Sequence, residues 1–374
     1  MLSFEVDKKI TKKLWSFNHL VAEKFQILNT LPKEELQEIH RYARISMIGA
    51  STRIENAVLT DAEIDWLDTI LGEEGRQTAF EKHRDIIEDK LSKDRERSIE
   101  EVAGCRAMLH LIYEQAKELF PLTESAIRGL HHELLRYYSK AGPIGKYKTS
   151  PNRVIETNRR TREQRVVLET AYPGTMTEVA MRGLVAWYNE ALVSEAWSLA
   201  VSCEFVFRFL AIHPFQDGNG RLGRGLFLLS LLQSPNSPLA FVSNYLAIDR
   251  QIEKHKEEYY LILHNCSDGK FNQDPSRYHI NFFLHFMLKI LEESLTDIDV
   301  YRARYSAFKD LSPSAFKVLE CFKDRPEMRL QTKDICEASG IPRRTVLNAL
   351  SMLVEEHFIR RFGKGPGVRY QLIF

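Results

Sequence analysis

The sequence predicts a mainly helical protein with one β-hairpin in its middle and a small winged helix-turn-helix unit at its C-terminus. Three observations carry this. Apolar residues recur at spacings of three and four through most of the chain before Tyr301. Two β-branched runs, Arg153-Val154-Ile155 and Arg165-Val166-Val167-Leu168, break that pattern between Gly142 and Gly174. Beyond Leu311, two short helical segments separated by Gly340-Ile341-Pro342 precede an alternating, glycine-rich tail.

Taken in order, the spacing predicts helices over residues 14–28, 33–56, 60–71, 75–119 and 123–139. It predicts further helices over 176–192, 195–212, 222–233, 250–266 and 276–297. Thr60-Asp61-Ala62-Glu63 is a capping box, in which a Thr at N-cap and a Glu at N3 satisfy orphan amides reciprocally. The hairpin carries a polar, basic tip at Asn158-Arg159-Arg160-Thr161-Arg162-Glu163. A linker is expected near Tyr301–Pro313, with Ser312-Pro313 opening the next helix. Helices Thr332–Ser339 and Arg343–His357 then pack through Ile335, Ala338, Ile341, Val346, Leu350 and Leu353, followed by a strand, a flexible turn and a strand. The division expected is an N-terminal helical region to residue 110, a core over 111–300 and a C-terminal unit over 311–374.

Composition narrows the function classes. With 374 residues, 44% of them hydrophobic, the chain is long enough for two or three packed units. Lys and Arg number 52 against 51 Asp and Glu, so a surface given over wholly to nucleic acid or membrane is excluded. The N-terminus lacks the apolar run of a signal peptide. No stretch of about 18 apolar residues predicts a transmembrane helix. The five cysteines are scattered, with no CxxC pair, and read as reduced thiols of a cytoplasmic protein. His110, His131, His132 and His264 read as structural histidines, and the charge run Glu81–Glu101 as a solvated helix face.

Chemistry concentrates in His213-Pro214-Phe215-Gln216-Asp217-Gly218-Asn219-Gly220-Arg221-Leu222-Gly223-Arg224. An apolar helix ends at His213-Pro214. Asp-Gly-Asn-Gly reads as a tight loop, because Gly218 and Gly220 allow positive φ. A second apolar helix follows, and its free amides and dipole make an anion site. Arg221 and Arg224 add fixed positive charge. Asp217 supplies a hard oxygen suited to Mg2+. His213 can take a proton from a hydroxyl. Base, metal ligand, anion cradle and cationic clamp together describe phosphoryl or nucleotidyl transfer. Asp-Gly-Asn-Gly alone would be an ordinary surface turn.

This segment resembles the Fic family signature, HxFx(D/E)GNGRxxR, at every specified position. Gly145-Lys146-Tyr147-Lys148 resembles the opening of that family's substrate-binding flap, and the hairpin near 152–170 resembles the flap itself. Val154-Ile155-Glu156 stands where the flap usually turns on Trp-Ile-Gly or Gly-Gly. The resemblance covers roughly residues 40–295. It implies a helical Fic fold and an ATP- and Mg2+-dependent transfer of AMP to Ser, Thr or Tyr hydroxyls of target proteins. His213 would be the general base, Phe215 the loop anchor and Asp217 the metal ligand. Gly218, Asn219 and Gly220 would cradle the α- and β-phosphates and Arg221 and Arg224 would contact the β/γ end, with Glu55, His213, Asp217, Leu222 and Gly223 also in the ATP-binding set and Tyr259, of the Tyr259-Tyr260 pair, near the adenine. A flap that takes up a target segment as an extra strand would accept varied proteins. Self-modification and a homodimer are compatible with this. So are removal of AMP, transfer of another phosphate-containing group, or a DNA-binding regulator that senses ATP.

Upstream, Ser51, Glu55 and Asn56 match the same family's inhibitory motif, (S/T)xxxE(G/N), on a helix at about 44–56. Ser51 and Glu55, four apart, share a helix face. Asn56 suits a helix end. Glu55 is expected to pair with Arg224 and repel the γ-phosphate. The C-terminal unit resembles winged-helix domains of bacterial regulators. From Leu311 onward it holds 11 Lys and Arg against 7 Asp and Glu, only a mild excess. Arg343, Arg344, Lys364 and Arg369 are its candidate DNA-phosphate contacts, with protein contact or dimerisation as the other reading.

Overall fold

In the computed structural model, which describes residues 1–72, 96–138, 142–157, 164–323 and 328–373, nearly every element before Lys309 is a helix. In order these are α1 (Lys8–Asn29), α2 (Lys33–Ile54), α3 (Asp61–Gly72), α4 (Glu96–Gln115) and α5 (Glu124–Leu135). The hairpin β1 (Arg153–Thr157) and β2 (Gln164–Glu169) follows. Then come α6 (Thr175–Ser194), α7 (Ser198–Ile212), α8 (Asn219–Leu232), α9 (Ser237–Ser243), α10 (Ile248–Lys254), α11 (Lys256–Ser267) and α12 (Ile280–Lys309). The hairpin tip Asn158–Glu163 and the first part of the helix expected over 75–119 lie outside the described residues.

Two helices are apolar on nearly every side, and such helices belong at the centre of a core. In α7 only Arg208 escapes full burial, and α8 is buried on every turn after Gly220. They pack against each other closely enough that a Cβ on Gly223 would lie 2.8 Å from Leu210. The remaining helices surround this pair, and one hydrophobic core runs from Ile10 to Tyr301. The caps follow local chemistry. Asp7 Oδ1 accepts from Ile10 N at 2.8 Å to start α1. Thr60 and Glu63 form the capping box that opens α3, with Thr60 N donating to Glu63 Oε2 at 2.6 Å.

The hairpin is antiparallel, with an irregularity between Val154 and Ile155. Val167 and Leu168 are fully buried, whereas Ile155 and Val166 stay exposed. Its base is tied to the core, because Glu169 N donates to Gly269 O at 2.9 Å and Phe271 N donates to Glu169 O at 2.7 Å.

The C-terminal unit holds α13 (Pro313–Lys323), β3 (Leu330–Gln331), α14 (Thr332–Ser339), α15 (Arg343–Glu355), β4 (Ile359–Phe362) and β5 (Arg369–Leu372). Its sheet order is β3-β5-β4, all antiparallel. Gly340 turns α14 into α15 in the left-handed region, at φ 67. Its core is separate and runs from Ala315 to Tyr370.

Several expectations need correction. The region 301–309 is no linker, since α12 continues through it to Lys309. Tyr301 is buried in the first core, while Ala307 and Phe308 pack against the second, so both cores hold the helix. Ala338 is exposed and Ser339 is buried in its place, with Ser339 Oγ bonded to Ile335 O at 2.6 Å. Residues 250–266 form parts of two helices that break at His255. The helix expected from 222 begins at Asn219, and only Gly218 of the two loop glycines has positive φ, at 78.

Candidate functional site

The motif loop sits between the C-terminus of α7 and the N-terminus of α8. His213 caps α7 in the left-handed region, at φ 51, which turns its ring away from the helix. Its Nδ1 lies 3.2 Å from Leu210 O. A carbonyl can only accept, so Nδ1 carries the hydrogen and Nε2 keeps its lone pair. Burial, reinforced by the charge of Lys148, lowers the His213 pKa to about 4. The ring is therefore neutral at physiological pH, the form that accepts a proton.

The rest of the loop is fastened from several directions. Phe215 is fully buried and stacks on His131 at 3.8 Å between centroids. Gly145 N donates to His131 Nδ1 at 2.9 Å, so His131 Nε2 donates to Asp217 O at 3.0 Å. His131 is thus a structural histidine that holds the loop. The Asn219 amide closes the loop on itself, accepting from Phe215 N at 2.9 Å and donating to Phe215 O at 2.7 Å. Its side chain is spent on shape, which leaves only backbone at this position for a ligand.

Two residues outside the motif complete the fastening. Lys148 is 2% exposed and donates to Asn152 Oδ1 at 2.8 Å, Thr170 Oγ1 at 3.0 Å and Ile212 O at 3.0 Å. Burial lowers its pKa to about 7. Asn152 Nδ2 donates to Phe215 O at 2.7 Å. The hairpin base and the motif loop are therefore one bonded unit.

On the other side of the loop lie the charges. Asp217 is 45% exposed at its side chain, and its Oδ1 accepts from Gly218 N at 2.6 Å. Arg221 is buried beside it, 3.8 Å from Asp217 and 3.8 Å from Glu101. Among the described residues Arg221 Nε and Nη1 have no hydrogen-bond partner. A buried guanidinium with unused donors, next to the free amides of α8, is a donor set that fits a phosphate. Asp217 fits a hard cation shared with that phosphate. Leu222 and Gly223 face the core and α7 respectively, so their side-chain positions serve packing.

Arg224 is 3% exposed and fully engaged. Its Nη2 donates to Ser51 O at 2.8 Å and to Glu55 Oε1 at 3.1 Å. Its Nε donates to Asp249 Oδ2 at 3.2 Å. Glu55 caps α2, and Asn56 follows at φ 75. Burial alone would raise the Glu55 pKa, but Arg224, then Arg221 and Lys256, outweigh it and hold it below the usual value. For Asp249 burial dominates, and its pKa rises to about 6. Glu55 Oε1 also occupies the space over Gly220, where a Cβ would come within 2.5 Å of it. Gly220 is needed for room and not for positive φ.

The structure thus brings together Ser51, Glu55, Arg224 and the loop from His213 to Arg221. Tyr259 is buried, and the charge of Arg224 opposes the rise that burial imposes on its hydroxyl pKa. Asp249 was missed as part of the site, because it reaches it from a separate segment with no characteristic spacing, and Lys148 and Asn152 were read only as parts of the flap and its opening. Arg343, Arg344, Lys364 and Arg369 are all exposed on α15, the wing and β5, away from this cluster in sequence and in core.

Comparison with known proteins agrees with this geometry. Residues 121–231 match the Fic/DOC family, and residues 315–362 match the IclR helix-turn-helix domain. Among solved structures, a Fic family protein from Desulfovibrio desulfuricans is 22% identical, covering 100% of this chain and 98% of that one, with a TM-score of 0.58. A Fic domain containing signaling protein from Bacteroides thetaiotaomicron is 23% identical, covering 76% and 97%, with a TM-score of 0.57. Fic-1 from C. elegans is 17% identical, covering 81% and 74%, with a TM-score of 0.52. At these identities the likeness is one of fold. Among the described residues no helix is long and apolar enough to cross a membrane. The chain thus carries a Fic/DOC family domain, followed by a C-terminal helix-turn-helix domain of the IclR type.

Proposed function

We propose that the protein is an adenylyltransferase that moves AMP from ATP to a hydroxyl side chain of a protein, and that Glu55 restrains it. The observation that carries this reading is the arrangement around one loop. A neutral His213 with a free Nε2, Asp217, the N-terminus of α8 and a buried Arg221 with unused donors all converge there. His213 Nε2 takes the proton of the incoming hydroxyl. The amides of α8 and Arg221 bind phosphate oxygens where charge builds, which is the larger part of such catalysis. Asp217 would hold Mg2+, which would supply positive charge against the phosphate oxygens. Lys148 and Asn152 keep the loop fixed to the hairpin, so that a target segment on the hairpin and the base keep their relative position. Among the described residues β1 pairs only with β2, which leaves an edge for such a segment.

Glu55 takes the Arg224 donor and the space over Gly220 that a terminal phosphate would need. A charge-assisted contact of this kind is worth about 1.5–3 kcal/mol, or roughly one to two decades of activity. The test uses ATP labelled at the α-phosphate with wild type, Glu55→Gly and His213→Ala in a cell extract. The expected result is protein-bound label that rises about 10- to 100-fold in Glu55→Gly and vanishes in His213→Ala. No label in any variant would reject AMP transfer and leave another donor or AMP removal.

A second reading concerns the C-terminal unit. Arg343, Arg344, Arg360, Arg361, Lys364 and Arg369 are exposed on α15 and the wing, a basic surface of the kind that meets DNA phosphates. It would add DNA binding to the transferase.

A further inference from the structure

Arg224 is gripped by acceptors from two different elements. Ser51 O at 2.8 Å and Glu55 Oε1 at 3.1 Å take its Nη2, and Ser51 Oγ lies 3.4 Å from its Nε. These acceptors belong to α2 or to the residue that caps it. Asp249 Oδ2, which takes Nε at 3.2 Å, belongs to α10. Helix α10 has its own hold on the core. Ile248 and Ile252 are buried there, and Gln251 Nε2 donates to Asp297 Oδ2 of α12 at 2.5 Å.

A guanidinium is planar, so holding Nε fixes where its two Nη atoms point. A Cβ on Gly220 would lie 3.4 Å from Arg224 Nη1 and 2.5 Å from Glu55 Oε1. The Nη end of the fork therefore faces the space that Glu55 fills, while Nε is turned to Asp249. When Glu55 withdraws, Arg224 loses one of its two carboxylates and keeps the other. Asp249 is 1% exposed, and burial raises its pKa to about 6. Keeping an ionised carboxylate there at neutral pH costs the fold stability. Neutralising Arg224 in the restrained state does not require it, because Glu55 already does so.

We propose that Asp249 is a positioning residue, which keeps the Arg224 fork aimed over Gly220 after Glu55 has left, ready for the third phosphate of a nucleoside triphosphate. Without this anchor the long side chain would spread over its rotamers, and ordering it again would weaken the phosphate contact. The inference rests on the reading that Arg224 meets the phosphate end of ATP once Glu55 is displaced. It separates nucleotides by length: Asp249 matters to a triphosphate and little to a diphosphate.

The test uses the full chain carrying Glu55→Gly, with Mg2+ and the α,β-methylene analogues of ATP and ADP, which cannot give up AMP. Binding is followed by titration calorimetry. Adding Asp249→Ala should weaken the ATP analogue about tenfold or more and the ADP analogue less than about twofold. The retained ADP affinity doubles as the check that the site is folded. Adding Asp249→Asn instead, which keeps an oxygen for Nε, should bring the ATP analogue back to within about threefold of Glu55→Gly. Equal losses for both analogues would mark a merely structural role and overturn the inference. So would an unchanged ATP affinity in Asp249→Ala, or an Asn variant as weak as the Ala one. AMP transfer is measured separately with labelled ATP, where Asp249→Ala should raise KM about tenfold and leave kcat nearly unchanged. A Glu55→Gly chain that binds the ATP analogue but labels no protein would reject the proposed activity and leave the anchor standing. Transfer with an unaltered KM in Asp249→Ala would overturn the anchor and leave the activity standing.

Discussion

His213 does two jobs through one backbone angle. Its left-handed φ ends α7, and the same turn places Nδ1 on Leu210 O and leaves Nε2 outward. Because burial and Lys148 depress its pKa to about 4, the ring should show no titration between pH 5 and 8. Imidazole nitrogen shifts by NMR should report a constant Nδ1–H tautomer across that range, and a midpoint near 6.5 would refute the assignment. A base must be unprotonated, so activity should be lost only as pH falls toward 4. Asn152→Ala should remove the clamp on Phe215 O and lower kcat about 10-fold or more, with nucleotide affinity little changed. Single-turnover kinetics would separate the two. His213, Asp217, Arg221 and Arg224 were legible because they lie in one short run where spacing stands for geometry. Asp249 was not, and Lys148 was legible only as part of the flap opening, since a residue far along the chain shows no partner until the chain folds.

At the scale of elements, α2 matters most. Its last turn is bolted by Arg53, which donates to both carboxylate oxygens of Glu253 on α10, at 2.9 Å and 3.0 Å. The same guanidinium donates to Asp61 Oδ1 at 2.6 Å, at the start of α3. Gly49 gives the bolt its room, since a Cβ there would lie 2.6 Å from Arg53 Nη1. Glu253→Gln should loosen the turn that carries Glu55. A partly buried bidentate pair is worth about 1 kcal/mol, so AMP transfer should rise about fivefold in wild type. The same change should add nothing in Glu55→Gly, and a labelled-ATP assay of the double variant decides it. The helices and the hairpin were legible from periodicity and β-branching. Their ends were less so. Asn219 and Gly220, which read as turn residues, form the first turn of α8 because the Asn219 side chain satisfies Phe215 instead of competing with the helix.

Across the whole molecule, α12 joins the two cores. Thirty residues long, it spans about 45 Å and has no break between the Fic domain and the winged helix. Its last turns read as a linker because Ser312-Pro313 starts a new unit just beyond them. The structure shows a continuous helix instead: Tyr301 faces one core, Phe308 the other, and Arg304 lies over rings of both. A pattern shared between two cores has the period of neither. If the winged helix binds duplex DNA, affinity should fall steeply from 50 to 200 mM salt. Replacing Arg343 and Arg344 with Ala should then reduce the salt slope by about 2, as read by fluorescence anisotropy. An unchanged slope would leave that surface for protein contacts.

Glu55 occupies the few ångströms over Gly220, the space that a phosphate on the first turn of α8 would use under the proposed function. Under the proposed function, Glu55 would act as a tethered competitor, present at a fixed effective concentration that no dilution removes. With the contact at about 2 kcal/mol, only about 3% of molecules would be open at a given moment, and nucleotide would bind roughly thirtyfold more weakly than to an open site. A competitor of fixed concentration can be outrun. Wild-type AMP transfer should go on climbing with ATP after Glu55→Gly has levelled off, and the two curves should converge. The nucleotide supply would then set this protein's activity, even with no dedicated signal to lift the glutamate.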